Sequence, residues 1–209
     1  MEHWETITAE RQALADTLDG LTPDQWATRS LCSEWTVHQV TAHLIVTLRN
    51  GLRSFFPAFV AARGNFHRAN AALATRAATR PPDELVADLR NYADSHFKPP
   101  GLGSVAPLTE VLVHGRDIRV PLGIAEDRPI EPWRDALDFL VTPKARRGFT
   151  GRSLPSLHYV ATDLNWSHGS GDEVLAPAVA MALAMVGRTA MLDDLEGPGA
   201  GVLRGWAGG

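Results

Sequence analysis

Residues 108–123 read LTEVLVHGRDIRVPLG. On a helix, residues three and four apart share a face, with Cβ atoms roughly 5–6 Å apart. Glu110 and His114 then stand one above the other, Asp117 follows on the same side, and Leu112 points elsewhere. Polar groups on the inner face of a helical bundle cost free energy unless they are paired or ligate something. Pro107 suits the start of this helix, and Pro121 and Gly123 mark its end.

Working outward, the segments before it also read as helices. Trp4, Ile7, Leu14, Leu18 and Leu21 make an apolar stripe, with Arg11 the one charge in it, on a first helix ending near Gly20. TPDQWATRSLCSE, residues 22–34, reads as an ordered connector packed on the bundle. Thr36 and Gln39 form a capping box for a second helix whose stripe is Val37, Val40, Leu44 and Leu48, bent or ended at Pro57 and Gly64. A third helical region, about 66–97, has a possible break at Pro81–Pro82. Four helices in some 120 residues make a bundle, the expected domain 1–123.

GIAEDRPIEP, residues 123–132, carries two prolines and three acids and reads as a boundary. Beyond it the pattern changes. Residues 132–141 suggest a short helix, LHYVATDL (157–164) alternates as a strand, and WSHGSGDEV reads as a turn with room for a short second strand. Ala178–Val186 is an alanine-rich helix ending at Gly187. The expected fold class is α+β: a four-helix bundle followed by a small α/β domain, 132–209. A single all-helical domain is the alternative, and residues 157–164 decide between them.

The composition narrows the function. The chain has 209 residues, 44% hydrophobic and 21% charged, with a formal net charge of -4, so no basic excess points to nucleic acid. Eighteen of the 20 bases are arginine, a residue suited to fixed anion contacts. One cysteine, Cys32, excludes an intramolecular disulfide framework and fits a reducing, cytoplasmic compartment. The N-terminus lacks a signal pattern, and the longest nearly apolar stretch, 174–187, is too short to span a bilayer. Small-molecule partners are therefore expected, with the chain a monomer or homodimer.

His43 sits at the edge of the second helix's stripe and supplies a donor from a separate helix. With Glu110 and His114 it makes a His2Glu set, which leaves a position open on zinc, as catalytic sites require. The competing reading has His114 as one half of a helix-face ion pair with Glu110 or Asp117, and His43 as a satisfied core histidine. Seven residues and about 10.5 Å of helix rise separate Asp117 from Glu110, so one ion would not take both together with His114. An ion pair with Arg116, Arg119 or another arginine, or orientation of His114, is the reading for Asp117.

Three stretches resemble the DinB-like metal-binding bundles, specifically the mycothiol-dependent maleylpyruvate isomerase branch: WTVHQVTAHL (35–44), EVLVHGRDIRVPLG (110–123), and ATDLNWSHGSGDEV with MVGRTAMLDDLEGPG in the C-terminal part. The resemblance spans nearly the full chain. It implies that His43, Glu110 and His114 ligate a divalent metal, most often zinc. It also implies a low-molecular-weight thiol of the mycothiol type as cofactor or cosubstrate, and an isomerase or S-transferase activity. Arg188, after Gly187, matches the arginine associated with the isomerase's C-terminal domain, with a structural helix-end role as its competing reading, and Arg188 and Asp117 are the candidate catalytic residues. Trp35, Arg116 and Arg119 are the candidates for contact with thiol or substrate, with core packing the competing role for Trp35. The chain departs from the pattern at His38 and at Val120, where many relatives carry a second arginine. A metal-assisted hydrolase and a non-catalytic metal or small-ligand binding module are the alternatives.

Overall fold

The computed structural model describes residues 2–32, 35–50, 52–63, 66–125 and 127–209; of these, the side chains of 47, 50, 52–56, 66, 67, 70 and 147 are not described. The chain forms two compact units, Met1–Glu126 and Asp127–Gly209.

The first unit is helical. Its elements are α1 (Trp4–Asp19), α2 (Pro23–Ala27), α3 (Val37–Asn50), α4 (Leu52–Ala61), α5 (Phe66–Ala77), α6 (Pro82–Asn91) and α7 (Val105–Arg119). The stripe of α1 is buried at Trp4, Ile7, Leu14 and Leu18. Arg11 is buried in the same stripe, and its guanidinium donates to the carbonyls of Ala93 (3.0 Å) and Ser95 (2.8 Å). The charge is accommodated because it satisfies carbonyls just past the end of α6. Within the connector, α2 opens on its own Thr22–Gln25 capping box and buries Trp26.

The Thr36–Gln39 capping box forms with both of its bonds, Thr36 N–H to Gln39 Oε1 at 2.9 Å and Gln39 N–H to Thr36 Oγ1 at 3.3 Å. The second helix of the sequence reading is described as α3 and α4, with residue 51 between them outside the described residues, and Pro57 lies inside α4 instead of ending it. Gly64 lies outside the described residues. The third helical region divides into α5 and α6, with Pro81 as the N-cap of α6, because a proline disfavours helical geometry in the residue before it. Helix α7 is buried at eleven of its fifteen residues and packs on α1 and α3.

The second unit contains α8 (Pro132–Leu140), β1 (His158–Ala161), β2 (Ser167–Gly169), β3 (Glu173–Ala176), α9 (Ala178–Met185) and α10 (Ala200–Gly208). The sheet order is β2-β1-β3. β1 pairs antiparallel with β2, Tyr159 opposite His168, and parallel with β3, Tyr159 beside Val174. The strand expected at 157–164 is real but shorter. WSHGSGDEV, read as a turn with room for a short second strand, contains that strand, β2, and also the first residues of β3. All eight residues of α9 are buried, which explains why its sequence is apolar all round. Gly187 closes α9 at φ +76° in a Schellman arrangement: the Arg188 N–H reaches Leu183 O at 2.9 Å, and the Gly187 N–H reaches Ala184 O at 3.0 Å. The architecture is α+β, mostly helical with a small three-stranded sheet toward the C-terminus. No helix among the described residues is long and apolar enough to cross a membrane.

Candidate metal centre

Two helices of the first unit bring the donors together. His43 on α3 is buried, and its Nε2 lies 3.5 Å from Glu110 Oε1 on α7. The His43 and His114 rings meet edge to face with centroids 5.1 Å apart. His114 Nδ1 lies 2.9 Å from Oδ2 of Asp117, whose side chain is fully buried. Of the two roles left open for Asp117, orientation of His114 is the one this contact supports. A carboxylate at Nδ1 fixes the tautomer that donates from Nδ1 and carries the lone pair on Nε2.

Trp35 is the third wall. Its ring centroid lies 4.9 Å from that of His43 and 6.4 Å from that of His114. Backbone bonds hold it there: its N–H donates to Cys32 O (2.8 Å), and its carbonyl accepts from the Ser30 N–H (2.9 Å) and the Ser30 hydroxyl (2.8 Å). The Leu31 N–H in turn donates to Asp117 O at 3.0 Å, tying this connector to α7. Trp35 and Cys32 are both half-buried.

The electrostatics agree with the geometry. Burial pushes the Glu110 carboxyl up, but contact with His43 and the charges of His43, His114 and Arg11 together hold it below its ordinary value. Burial lowers the Arg11 guanidinium, with Glu110 and Asp94 acting in the opposite direction. Arg11 is thus a contributor that the sequence reading does not assign to the site. Its signal is the single charge within the stripe of α1.

Arg119 reaches α1. It is buried, and its Nε and Nη2 donate to Thr17 Oγ1 of α1 at 3.2 and 3.0 Å. Gly115 makes room for it, since a Cβ there would stand 2.9 Å from Arg119 Nη1. Arg116 is half-buried on α7. Arg188, in the second unit, donates from Nη1 to Val186 O at 2.9 Å, a helix-end contact.

The donor set bears on whether a metal fits. Two ligands bound at zinc-like distances in a tetrahedron are roughly 3.3 Å apart. The 3.5 Å between His43 Nε2 and Glu110 Oε1 is close to that spacing and long for a hydrogen bond. Two imidazoles and one carboxylate suit a borderline-soft divalent ion. Among the described residues, however, no group of three or more His, Cys, Asp or Glu side chains is gathered tightly enough to count as a formed metal cluster. The fit rests on the pair distance, the oriented His114 and the donor chemistry.

Residues 7–96 match the family model described as the mycothiol maleylpyruvate isomerase N-terminal domain. Two solved structures are similar over nearly the whole chain. One is a crystal structure of the mycothiol-dependent maleylpyruvate isomerase, with 15% identity, TM-score 0.59, and 96% of this chain and 97% of that chain covered. The other is a histidine-to-alanine mutant of that enzyme, with 16% identity, TM-score 0.58 and the same coverage. At these identities the likeness carries the fold. No curated protein gives a significant match.

Proposed function

We propose that this chain, whose residues 7–96 match the mycothiol maleylpyruvate isomerase N-terminal domain model, is a divalent-metal-dependent enzyme using a mycothiol-type thiol. Its reaction is isomerisation of, or sulfur transfer to, a small electrophilic substrate bearing a carboxylate. The observation that carries the proposal is the approach of His43, Glu110 and His114 from two helices, with Asp117 on the far nitrogen of His114.

His43, Glu110 and His114 would hold the ion, and zinc is the first choice for that donor set. When bound, such an ion lowers the pKa of a thiol or water at its open position and so supplies a nucleophile near neutral pH. The other contributions belong to the chain. Glu110 brings one negative charge to the site beside the two imidazoles. Asp117 holds the His114 ring in one tautomer and one orientation. Trp35 covers one side of both rings and limits water there. The charge of Arg11 adds a smaller part to the effect of His43 and His114 in holding the Glu110 carboxyl below its ordinary value. Arg188 is proposed on its motif to pair with the substrate carboxylate, with Arg116 the second candidate. The bonds from Arg119 to Thr17 give it a structural part in this scheme.

The test is elemental analysis of wild type, H43A and H114A, together with thiol consumption across an electrophile panel that includes maleylpyruvate. About one divalent ion per chain is expected in wild type, with clear loss in both histidine variants. E110Q is expected to lose thiol-dependent turnover even where the ion is retained. Ion binding without thiol consumption above the E110Q background transfers the site to a hydrolase or a binding module. Equal metal content in wild type and H114A removes His114 from the ligand set.

A further inference from the structure

The second unit contains a cavity of about 310 Å³, bounded by the end of α8, the loop 141–157 and the 168–170 end of the hairpin. Its charge is one-sided. Arg146, Arg152 and His168 line it, with the hydroxyls of Thr142, Thr150 and Ser170 among the polar groups, and none of the described lining residues is acidic.

The walls are built. The Arg152 guanidinium stacks on the Trp206 ring at 4.6 Å and donates to Trp206 O. The Trp206 indole N–H donates back to Ser153 O at 2.9 Å. The loop turns on itself through Thr150: the Arg152 N–H donates to Thr150 O (2.7 Å) and the Thr150 hydroxyl to Arg152 O (2.9 Å). At the far side the Tyr159 hydroxyl donates to Pro155 O at 2.7 Å. Gly169, at φ +83°, lets the hairpin close against the loop, because a Cβ there would stand 2.3 Å from Leu157 O. The Arg152 side chain is therefore held against Trp206 at the edge of the cavity.

We propose that this cavity is a binding site for a small oxyanion, a metabolite bearing phosphate or clustered carboxylates. Planar guanidiniums pair with such groups bidentately, and the hydroxyls and imidazole supply further donors. The volume suits one small molecule. The proposal is independent of the metal centre, since every lining residue belongs to the unit Asp127–Gly209.

The experiment is calorimetric titration of the full chain with inorganic phosphate and, separately, with citrate, at low ionic strength. Saturable binding of at least one of them to wild type is expected, and whichever binds more tightly assigns the phosphate or the carboxylate class. R146Q and R152Q are each expected to weaken it about tenfold. R146Q is the decisive variant, because Arg146 is exposed and its replacement leaves the Arg152–Trp206 contact in place. H43A is expected to bind the anion as wild type does. Absence of saturable binding to wild type, unchanged affinity in R146Q, or loss of binding in H43A would each overturn the proposal.

Discussion

Glu110 carries the sharpest consequence at the scale of single residues. Its native carboxyl is held below the ordinary value, so the ionised form stabilises the folded state at pH above that value. That contribution is lost as pH falls through the lower native pKa. In metal-free protein, E110Q has nothing to protonate there and is expected to show a shallower acid loss of stability, read from urea unfolding at a series of pH values. A slope as steep as that of wild type would show that Glu110 is not held this way. Gly115 gives a second case. Alanine there gains about 1 kcal/mol of helix propensity but displaces the buried Arg119 from Thr17. G115A is expected to be less stable by about 1 kcal/mol net, and adding T17V should remove most of the difference. The Glu110–His114 pair is legible in the sequence because helical spacing places both on one face. The role of Arg11 is harder to read, since a cation in an apolar stripe names no partner until α6 and α7 are packed against α1.

At the scale of elements, local signals survived where they are closed within a few residues. The Thr36–Gln39 box is one, and T36A is expected to cost about 1 kcal/mol, measured as a shift in the denaturant midpoint with an unchanged slope. The start of α6 at the paired prolines is another. β3 hides inside a glycine-rich stretch, and its alternation at Val174 and Ala176 shows only once β1 is known to lie beside it. Helix α10 is missed because its glycines lower its intrinsic propensity. The signal that marks it is Ala200, Leu203 and Ala207, buried at three- and four-residue steps.

For the whole molecule, the α+β class and the change of pattern near residue 123 are legible, since helical periodicity gives way to alternation. The parallel β1–β3 pairing is not, because nothing local distinguishes it from a hairpin. Limited proteolysis with a broad-specificity enzyme is expected to cut first within 123–131, giving two fragments that correspond to Met1–Glu126 and Asp127–Gly209. A first cut inside either unit would count against this division. The packing of α1 on α7 also has a consequence during synthesis. The bonds from Arg119 reach Thr17 across 102 residues of chain. At about 5–20 residues per second, the ribosome delivers α7 some 5–20 s after α1. Through that interval the apolar stripe of α1 has no α7 to cover it and Arg11 has no Glu110, while its carbonyl partners at Ala93 and Ser95 are made only near the end of it. A nascent chain stalled before residue 105 should therefore engage a chaperone that recognises exposed apolar helix, and one stalled with α7 fully outside the exit tunnel should release it.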